Sequence, residues 1–152
     1  MLKVQHISER PDLLPAVIRL GRVHRATLGF LPDGAFEDHA RKNQILVAVK
    51  EGELTGYILY RVSREKATVT HLCVSSEFRG DGVARALVNK LFDVTADLRG
   101  IGLQCRQDYE ANAVWPKLGF HHVSSRPGRS QEGHLLALWW FDHGKTDLTC
   151  PG

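Results

Sequence analysis

A short glycine-bearing segment, Arg79-Gly80-Asp81-Gly82-Val83-Ala84, has the residue types and spacing that bind a phosphate group. Backbone N–H groups at the start of a helix have no partner inside the helix and carry the positive end of its dipole. A diphosphate can accept their hydrogen bonds. Small residues at 80, 82 and 84 let phosphates approach the main chain, and Arg79 can add a charge-assisted contact. The segment therefore predicts a site for an anionic, phosphate-bearing ligand.

Two better-known phosphate loops do not fit this segment. The dinucleotide fingerprint G-x-G-x-x-G fails because Arg85 stands where the third glycine is required, and the P-loop sequence G-K-S or G-K-T is absent. A structural interpretation stays open, in which the segment is a tight turn that caps a helix, with Asp81 as the N-cap.

The histidines and cysteines form no metal or redox motif. The eight histidines include no H-E-x-x-H or H-x-H pattern, and the neighbours His121 and His122 would point to opposite faces of a strand. The three cysteines, Cys73, Cys105 and Cys150, are odd in number and lack ligand or redox spacing. We expect no metal and a reducing, cytoplasmic setting.

Length and composition are those of one soluble domain. The chain has 152 residues, of which 43% are hydrophobic and 24% charged. We expect residues 1–141 to form a single domain and residues 142–152 a polar C-terminal tail. The net charge of +3 suits an anionic cofactor but is too small to indicate nucleic acid, which is not an expected partner. Residues 1–10 contain no apolar run, so no signal peptide is expected. No apolar stretch is long enough to cross a bilayer, so no membrane partner is expected.

The elements that must position the glycine segment follow from hydrophobic periodicity. Apolar residues recur every three or four positions after it and predict a helix to about Leu98. The preceding strand is predicted at 67–74. The other predicted strands are 3–8, 44–50, 54–63, 101–106, 120–125 and 134–141, and the other predicted helices begin at Pro11 and cover 34–42 and 109–118. This order predicts an α+β fold with a mixed sheet, helices on both faces and a parallel, right-handed unit over 67–106.

At these positions the chain resembles the GNAT superfamily of acyl-CoA-dependent N-acyltransferases. The family signature Arg/Gln-x-x-Gly-x-Gly/Ala is matched by Arg79, Gly82 and Ala84, and it follows a strand ending at Val74, five positions earlier. A second signature, a helix ending in Leu-Gly-Phe, is matched by residues 118–120. The resemblance covers residues 1–141.

The resemblance implies a central mixed, largely antiparallel sheet of six or seven strands that is splayed in the middle, with about four helices on both faces. It implies acetyl-CoA as co-substrate, with pantetheine between the strand ending at Val74 and the strand 101–106. The implied cofactor-binding residues are Cys73, Val74, Arg79, Gly80, Asp81, Gly82, Val83, Ala84, Asp108 and Trp115.

The chain departs from the family at two of these positions. Asp108 replaces a cofactor-binding asparagine; it can cap the helix 109–118 but cannot donate a hydrogen bond when ionised. Trp115 replaces a tyrosine that protonates the leaving thiolate. Its indole N–H can donate to sulfur but is not a proton source.

The general base is a third departure. Thr68 and Thr70 stand where family enzymes often carry Glu or His. His71 lies between them and, by strict alternation, faces the other way unless a bulge turns it. We name His71 as the candidate catalytic base because an imidazole has a suitable pKa; the alternative is a structural histidine. Cys105 has two interpretations: it carries the acyl group, or it is a small buried residue of a strand.

The leading hypothesis is an N-acetyltransferase that moves an acetyl group to a primary amine, of a small molecule or a protein, by direct attack in a ternary complex. The alternatives are a non-catalytic acyl-CoA-binding sensor and an aminoacyl-tRNA-acetylating toxin. The sequence leaves open whether the protein forms a homodimer. Candidate acceptor-lining residues, each with core packing as the alternative, are Phe30, Leu31, Phe36, His39 and Trp140.

Overall fold

The computed structural model describes residues 2–24, 31–106, 113–127 and 135–144. Within them, seven strands pair in the order β1-β2-β3-β4-β5-β7-β6. The strands are β1 (Leu2–His6), β2 (Ile45–Lys50), β3 (Glu53–Ser63), β4 (Lys66–Val74), β5 (Gly100–Arg106), β6 (His121–Pro127) and β7 (Leu135–Asp142). The α-helices are α1 (Leu14–Val23), α2 (Asp33–Arg41) and α3 (Val83–Val94).

The predicted fold class is confirmed. The sheet is mixed and mostly antiparallel, with seven strands, and the parallel pair is β4–β5, where Lys66–Thr68 pair with Gly100–Gly102. Three α-helices lie in the described residues, instead of about four. The predicted helix 109–118 lies partly outside them, and its described end, Trp115–Leu118, is a 3-10 helix. Pro116 accounts for that difference, because it has no N–H to donate to an α-helical partner.

Two further helix boundaries differ from prediction. Pro11–Leu13 form a 3-10 turn, and α1 begins only at Leu14, with Pro15 in its first turn, where a missing N–H costs nothing. Helix α3 ends at Val94, not near residue 98, because the chain turns there: the N–H of Leu98 donates to the Thr95 carbonyl at 2.8 Å.

The chain divides into two compact units. Unit 1 contains residues Met1–Arg61 and Thr70–Val94, and unit 2 contains Val62–Val69 and Thr95–Gly152. The prediction of one domain through residue 141 stays a prediction.

In unit 1, helices pack on both faces of the sheet. Alternate residues of β2, including Val47, join α1 and α2 in one apolar core, and the residues between them lie on the other face. Helix α3 contacts β1 and β2. The core on the α1–α2 side consists of Ile7, Leu13, Val17, Phe36, Ile45, Val47, Val49, Tyr57, Leu59 and Cys73.

Helix α1 approaches this core closely at Gly21, a buried residue. A Cβ at this position would lie 2.7 Å from the Tyr57 hydroxyl oxygen and 2.8 Å from Cζ of Phe36. A glycine is therefore needed here for packing, because any larger residue would push α1 away from the two rings.

In unit 2, the apolar strand β7 lies between β5 and β6 and pairs antiparallel with both. Ala137 and Trp139 are buried, whereas the described side chains of the edge strand β6, residues 121–126, are exposed. Ala137 and Trp139 share one face of β7, and three residues on the other face are half-buried, so apolar residues on both faces are at least partly covered. These three are Leu136, Leu138 and Trp140.

Candidate active site

The glycine segment connects β4 to α3, as predicted. After Val74 the chain makes a 3-10 turn over Ser76–Phe78. The N–H of Phe78 donates to the Ser75 carbonyl at 2.9 Å, and the N–H of Asp81 donates to the Phe78 carbonyl at 3.3 Å. These local bonds bring the loop to the N-terminus of α3 in unit 1.

The two glycines of the loop both adopt left-handed backbone conformations. Their φ angles are 88° at Gly80 and 81° at Gly82, and a Cβ at either would meet no other atom within 4 Å. Such angles favour glycine strongly. The main chain therefore borders open space at both positions, a cradle that a side chain would fill.

The start of α3 adds hydrogen-bond donors to this cradle. The N–H of Ala86 donates to the Gly82 carbonyl at 3.0 Å, which makes Gly82 the N-cap residue. The N–H groups of Val83 and Ala84 come before the first intrahelical donor, that of Ala86, and so have no partner inside the helix. Asp81 is exposed and lies one residue too early to be the N-cap. The open interpretation of Asp81 as the cap is therefore wrong.

Gly56 on β3 holds the end of β4 close to α3. A Cβ at Gly56 would lie 2.8 Å from the Cys73 carbonyl oxygen, 3.0 Å from Cγ1 of Val83 and 3.3 Å from Cα of Val74. The absent side chain lets three predicted cofactor-binding residues meet at one point. A glycine inside a strand is a known sign of such close approach, so the sequence carried this signal.

Thr55, which the sequence interpretation missed, ties the loop to the sheet. Ala48 pairs with Gly56 and Val49 with Leu54, so Thr55 is the extra residue of a β-bulge. Its hydroxyl donates to the Ala48 carbonyl at 3.0 Å, and its own carbonyl accepts the N–H of Ser75 at 2.8 Å. The bulge thereby fixes the first residue after β4.

The Cys73 thiol is a buried, protonated group. Its residue is 4% exposed. Burial raises the pKa of Cys73 to about 12, although the charge of Arg79 and a hydrogen bond with Tyr57 act in the opposite direction. A thiol in this state is a poor nucleophile. Cys73 can contribute backbone and packing to the site.

His71 lies on the α1–α2 side of β4. Burial alternates without interruption from Lys66 to Val74, so the bulge that would turn His71 is not found in this strand. The ring packs edge-on against Phe36, with centroids 5.9 Å apart, and Nδ1 lies 3.4 Å from the Tyr57 hydroxyl. Burial, followed by the charge of His39, lowers the pKa of His71 to about 4.

The groups around His71 are also neutral at pH 7. Burial raises the pKa of Tyr57 and lowers that of His39. Nδ1 of His39 lies 2.9 Å from the Tyr60 carbonyl. Of the candidate acceptor-lining residues, Phe36 and His39 are buried and Leu31 packs against the core. For these three residues the structure agrees with the alternative, which was core packing. Phe30 lies outside the described residues.

In unit 2, Trp115 is 6% exposed and packs edge-on against Phe120, with centroids 5.4 Å apart. Its Nε1 is buried and finds no hydrogen-bond partner in the described residues, which is rare for a buried donor. Gly119, with φ of 103°, ends the 3-10 helix in a left-handed conformation. Asp108 lies outside the described residues.

Thr68 and Thr70 are half-buried on the face of β4 opposite His71. The hydroxyl of Thr70 is buried without a hydrogen-bond partner in the described part of the chain. No three His, Cys, Asp or Glu side chains among the described residues are grouped so that they could hold a metal ion. Nor does any helix there have the length and apolar character needed to span a bilayer.

Comparison with known proteins identifies one family that the sequence matches and several solved structures with a similar fold. The sequence model of the acetyltransferase (GNAT) domain matches residues 30–135. Ard1 from Thermoplasma volcanium superposes with a TM-score of 0.80 and 20% identity, over 93% of this chain and 97% of that chain. The ribosomal-protein-S18-alanine N-acetyltransferase from Escherichia coli superposes with a TM-score of 0.77 and 18% identity, over 93% of this chain and 94% of that chain.

A third similar structure is the NatC complex bound to Gag peptide and CoA. It has a TM-score of 0.77 and 15% identity, over 93% of this chain and 98% of that chain. A search of curated proteins found no match. At these identities the structural likeness supports the fold alone.

Proposed function

Because the chain belongs to the GNAT acetyltransferase family, we propose that it transfers an acetyl group from acetyl-CoA to a primary amine, on a small molecule or a protein. The observation that carries the proposal is the open backbone cradle at Gly80 and Gly82, directly before the N-terminus of α3. We propose direct attack in a ternary complex, in which both substrates are bound together. This route needs no acyl-carrying thiolate, and the Cys73 thiol is buried and protonated.

The residues of the cradle fit a diphosphate. Space is open at both glycine Cβ positions, and the N–H groups of Val83 and Ala84 lack intrahelical partners. The exposed Arg79 lies at the start of the loop and can add a charge-assisted hydrogen bond. Arg79, Gly80, Asp81, Gly82, Val83 and Ala84 would hold the diphosphate of acetyl-CoA.

Acetyl-CoA supplies a thioester, whose carbonyl carbon takes the lone pair of the amine while the C–S bond breaks and the thiolate leaves. The chain's main contribution is alignment, which can lower such a barrier by several kcal/mol, up to about 7–11. Backbone groups of Cys73 and Val74 can pair with an extended amide chain. Gly56 keeps that part of β4 in place, because nothing larger fits against the Cys73 carbonyl.

His71 is our candidate to accept the proton from the amine, through water and not directly, because its ring is buried on the α1–α2 side of β4. Its low pKa keeps the imidazole neutral at pH 7. When Nδ1–H donates to the Tyr57 oxygen, Nε2 is the nitrogen that can accept a proton. Asp108 and Trp115 stay predictions as cofactor contacts; the unpartnered Nε1 of Trp115 is compatible with donation to a ligand atom.

One observation favours a second candidate, a non-catalytic acyl-CoA-binding sensor. The one imidazole on β4 is buried beside Phe36 and Tyr57, and the opposite face offers the hydroxyls of Thr68 and Thr70. Hydroxyls are poor bases at neutral pH. A chain that binds acetyl-CoA without turnover would have this arrangement.

Calorimetric titration with acetyl-CoA tests the site. We expect saturable binding at micromolar levels and its loss in Gly82→Trp, because the indole would occupy the cradle. The matched control is Gly52→Trp, since Gly52 has a similar φ of 82° and equally open surroundings but lies in the β2–β3 turn. Undiminished binding by Gly82→Trp would overturn the site assignment.

Thiol release from acetyl-CoA in the presence of a panel of amines and N-terminal peptides separates the two functions. An acetyltransferase produces one thiol per acetylated amine, and His71→Gln should lower kcat more than it changes the affinity for acetyl-CoA. Tight binding with no thiol release across the panel would identify the sensor.

A further inference from the structure

Unit 2 contains a surface cavity of about 630 Å³. Its lining includes Trp140, a candidate acceptor-lining residue by sequence, but none of the residues of the proposed acetyl-CoA site. The cavity lies where the β3–β4 turn meets the start of β5. The described residues that line it are Ser63, Arg64, Glu65, Lys66, Arg99 and Trp140. Its size is within the range of sites that hold small molecules, roughly 300–1,000 Å³.

Two glycines of β5, Gly100 and Gly102, leave space for the indole of Trp140 at the floor of this cavity. Trp140 pairs with Gly102 on β5. A Cβ at Gly100 would overlap the indole, and one at Gly102 would lie 3.4 Å from its Cε3. The two glycines therefore let the ring lie over β5 while it also lines the cavity.

Strand register places a cation on the same side of the sheet as this ring. Lys66 on β4 pairs with Gly100, and Trp140 on β7 pairs with Gly102. Paired residues of neighbouring strands project to one face, and residues two apart on a strand share a face. Lys66 and Trp140 thus border the same stretch of β5.

The backbone of the β3–β4 turn is held in place beside them. The N–H of Arg99 donates to the Glu65 carbonyl at 2.7 Å, and the carbonyl of Arg99 accepts the N–H of His143 at 2.9 Å. Arg64 adopts a left-handed conformation, with φ of 58°, in the turn. Arg64 therefore lies in an anchored turn, and Arg99, directly before β5, lies beside it.

The lining carries an excess of positive charge. Three cations, Arg64, Lys66 and Arg99, face one carboxylate, Glu65. The Arg99–Glu65 pair is separated by 3.8 Å, and its side chains are 41% and 74% exposed. Exposed pairs of this kind are weak, so they leave Arg99 available to an anion.

We propose that this cavity binds a nucleoside phosphate, whose base stacks on Trp140 and whose phosphate is held by Arg64, Lys66 and Arg99. Indole faces stack on bases irrespective of sequence. Arginine presents paired donors that match phosphate oxygens. Inorganic phosphate would use only the cations, and an uncharged nucleoside only the ring. The ligand can be a free nucleotide or a nucleotide within a single-stranded RNA.

Calorimetry with AMP tests the proposal. The titration is repeated with Gly82→Trp, in which the indole blocks the diphosphate cradle, so heat that persists in this variant reports the cavity. We expect saturable AMP binding, with adenosine and inorganic phosphate each at least about tenfold weaker. The double variant Arg64→Gln/Lys66→Gln should bind AMP at least about tenfold more weakly. Arg61→Gln, an exposed cation outside the lining, is the matched control and should bind as the wild type does.

Trp140→Phe keeps an aromatic ring and should weaken AMP binding by only a few-fold, whereas Trp140→Leu should remove the discrimination between AMP and phosphate. Far-UV circular dichroism and urea denaturation report whether the variants fold. No saturable AMP binding to the wild type, or a double variant that binds as the wild type does, overturns the proposal.

A single-stranded oligoribonucleotide that binds more than tenfold tighter than AMP, with strong salt dependence, assigns the site to RNA. Equal affinities assign it to the free nucleotide. Gly82→Trp should lose CoA binding and keep AMP binding. Acetyl-CoA binding and AMP binding are therefore measured in different titrations, so the failure of one proposal can be distinguished from the failure of the other.

Discussion

The carbonyl of Thr55 accepts the N–H of Ser75 at 2.8 Å. Thr55 is the bulged residue of β3, and Ser75 is the first residue after β4. The bulge thereby sets where the main chain leaves the sheet to enter the glycine loop. A feature of the β2–β3 pair therefore contributes to the position of the proposed diphosphate site.

Thr55→Val should lower the free energy of unfolding by about 1–3 kcal/mol, because the buried Ala48 carbonyl loses the hydroxyl that satisfies it. Thr55→Ser keeps the hydroxyl and should retain most of that stability. Urea denaturation of the three proteins provides the measurement. Equal midpoints for the valine and serine variants would contradict this role for the hydroxyl.

Gly56→Ala should be more damaging than its single added carbon suggests. The new Cβ would lie 2.8 Å from the Cys73 carbonyl oxygen, a main-chain atom that cannot rotate away. Overpacking of this kind costs about 1–3 kcal/mol, and displacement of Cys73 and Val74 should also weaken acetyl-CoA binding. Urea denaturation and calorimetry measure the two effects.

The control for Gly56→Ala is Gly34→Ala in α2. A Cβ at Gly34 meets nothing within 4 Å, and alanine is the better helix former. We expect unchanged or slightly raised stability and unchanged binding. A Gly56→Ala protein that matches Gly34→Ala in both assays would remove the packing argument.

Acid should destabilise the protein through His71. Its pKa is about 4 when folded and about 6.5 when unfolded, so the unfolded chain binds more protons between these values. The stabilisation is complete above pH 6.5 and is lost as the pH falls towards 4. From this residue alone, we expect a loss of about 2 kcal/mol between pH 7 and pH 5.

His71→Asn removes the titrating group. Its unfolding free energy should depend less steeply on pH across the same interval, although His39, with its pKa also lowered by burial, contributes in the same direction. Urea denaturation at pH 7, 6 and 5 gives the slopes. Identical slopes for wild type and variant would mean that His71 is not buried as described.

Cys73 should resist alkylation in the folded protein. With a pKa of about 12, only about one thiol in ten thousand is ionised at pH 8, and the side chain is also buried. Peptide mapping after N-ethylmaleimide treatment should find Cys73 unmodified in the native protein and modified in urea. Rapid native labelling would indicate local opening of β4.

Arg79→Met should weaken acetyl-CoA binding about 10- to 100-fold, the range expected for a lost charged hydrogen bond. The side chain is exposed, so the fold should be unaffected. Lys50→Met, which removes a cation at the end of β2, controls for the change in net charge. The two variants are compared by calorimetry at one ionic strength, and equal affinities would exclude Arg79 from the site.

Much of the fold was predictable because its signals are local. Helical periodicity after residue 83 and alternation before residue 74 placed the strand, loop and helix, and the glycines at 80 and 82 marked the left-handed turn between them. Boundaries were less predictable where proline changes the hydrogen bonding, as in the 3-10 helix at Trp115–Leu118.

The partners of site residues were not predictable, because they depend on register between strands. The contact between His71 and Tyr57 joins residues 14 apart on different strands. Likewise, nothing local indicates that Thr55 satisfies Ala48. Alternation did give the correct face for His71, since no bulge interrupts β4.

The absent side chain at Gly21 links the sizes of three residues. Helix α1, Phe36 and Tyr57 share one volume, so ring size at positions 36 and 57 limits what position 21 can carry. Among related sequences, a larger residue at 21 should therefore occur together with a smaller one at 36 or 57. Alanine at 21 combined with leucine at 36 should be tolerated better than alanine at 21 alone.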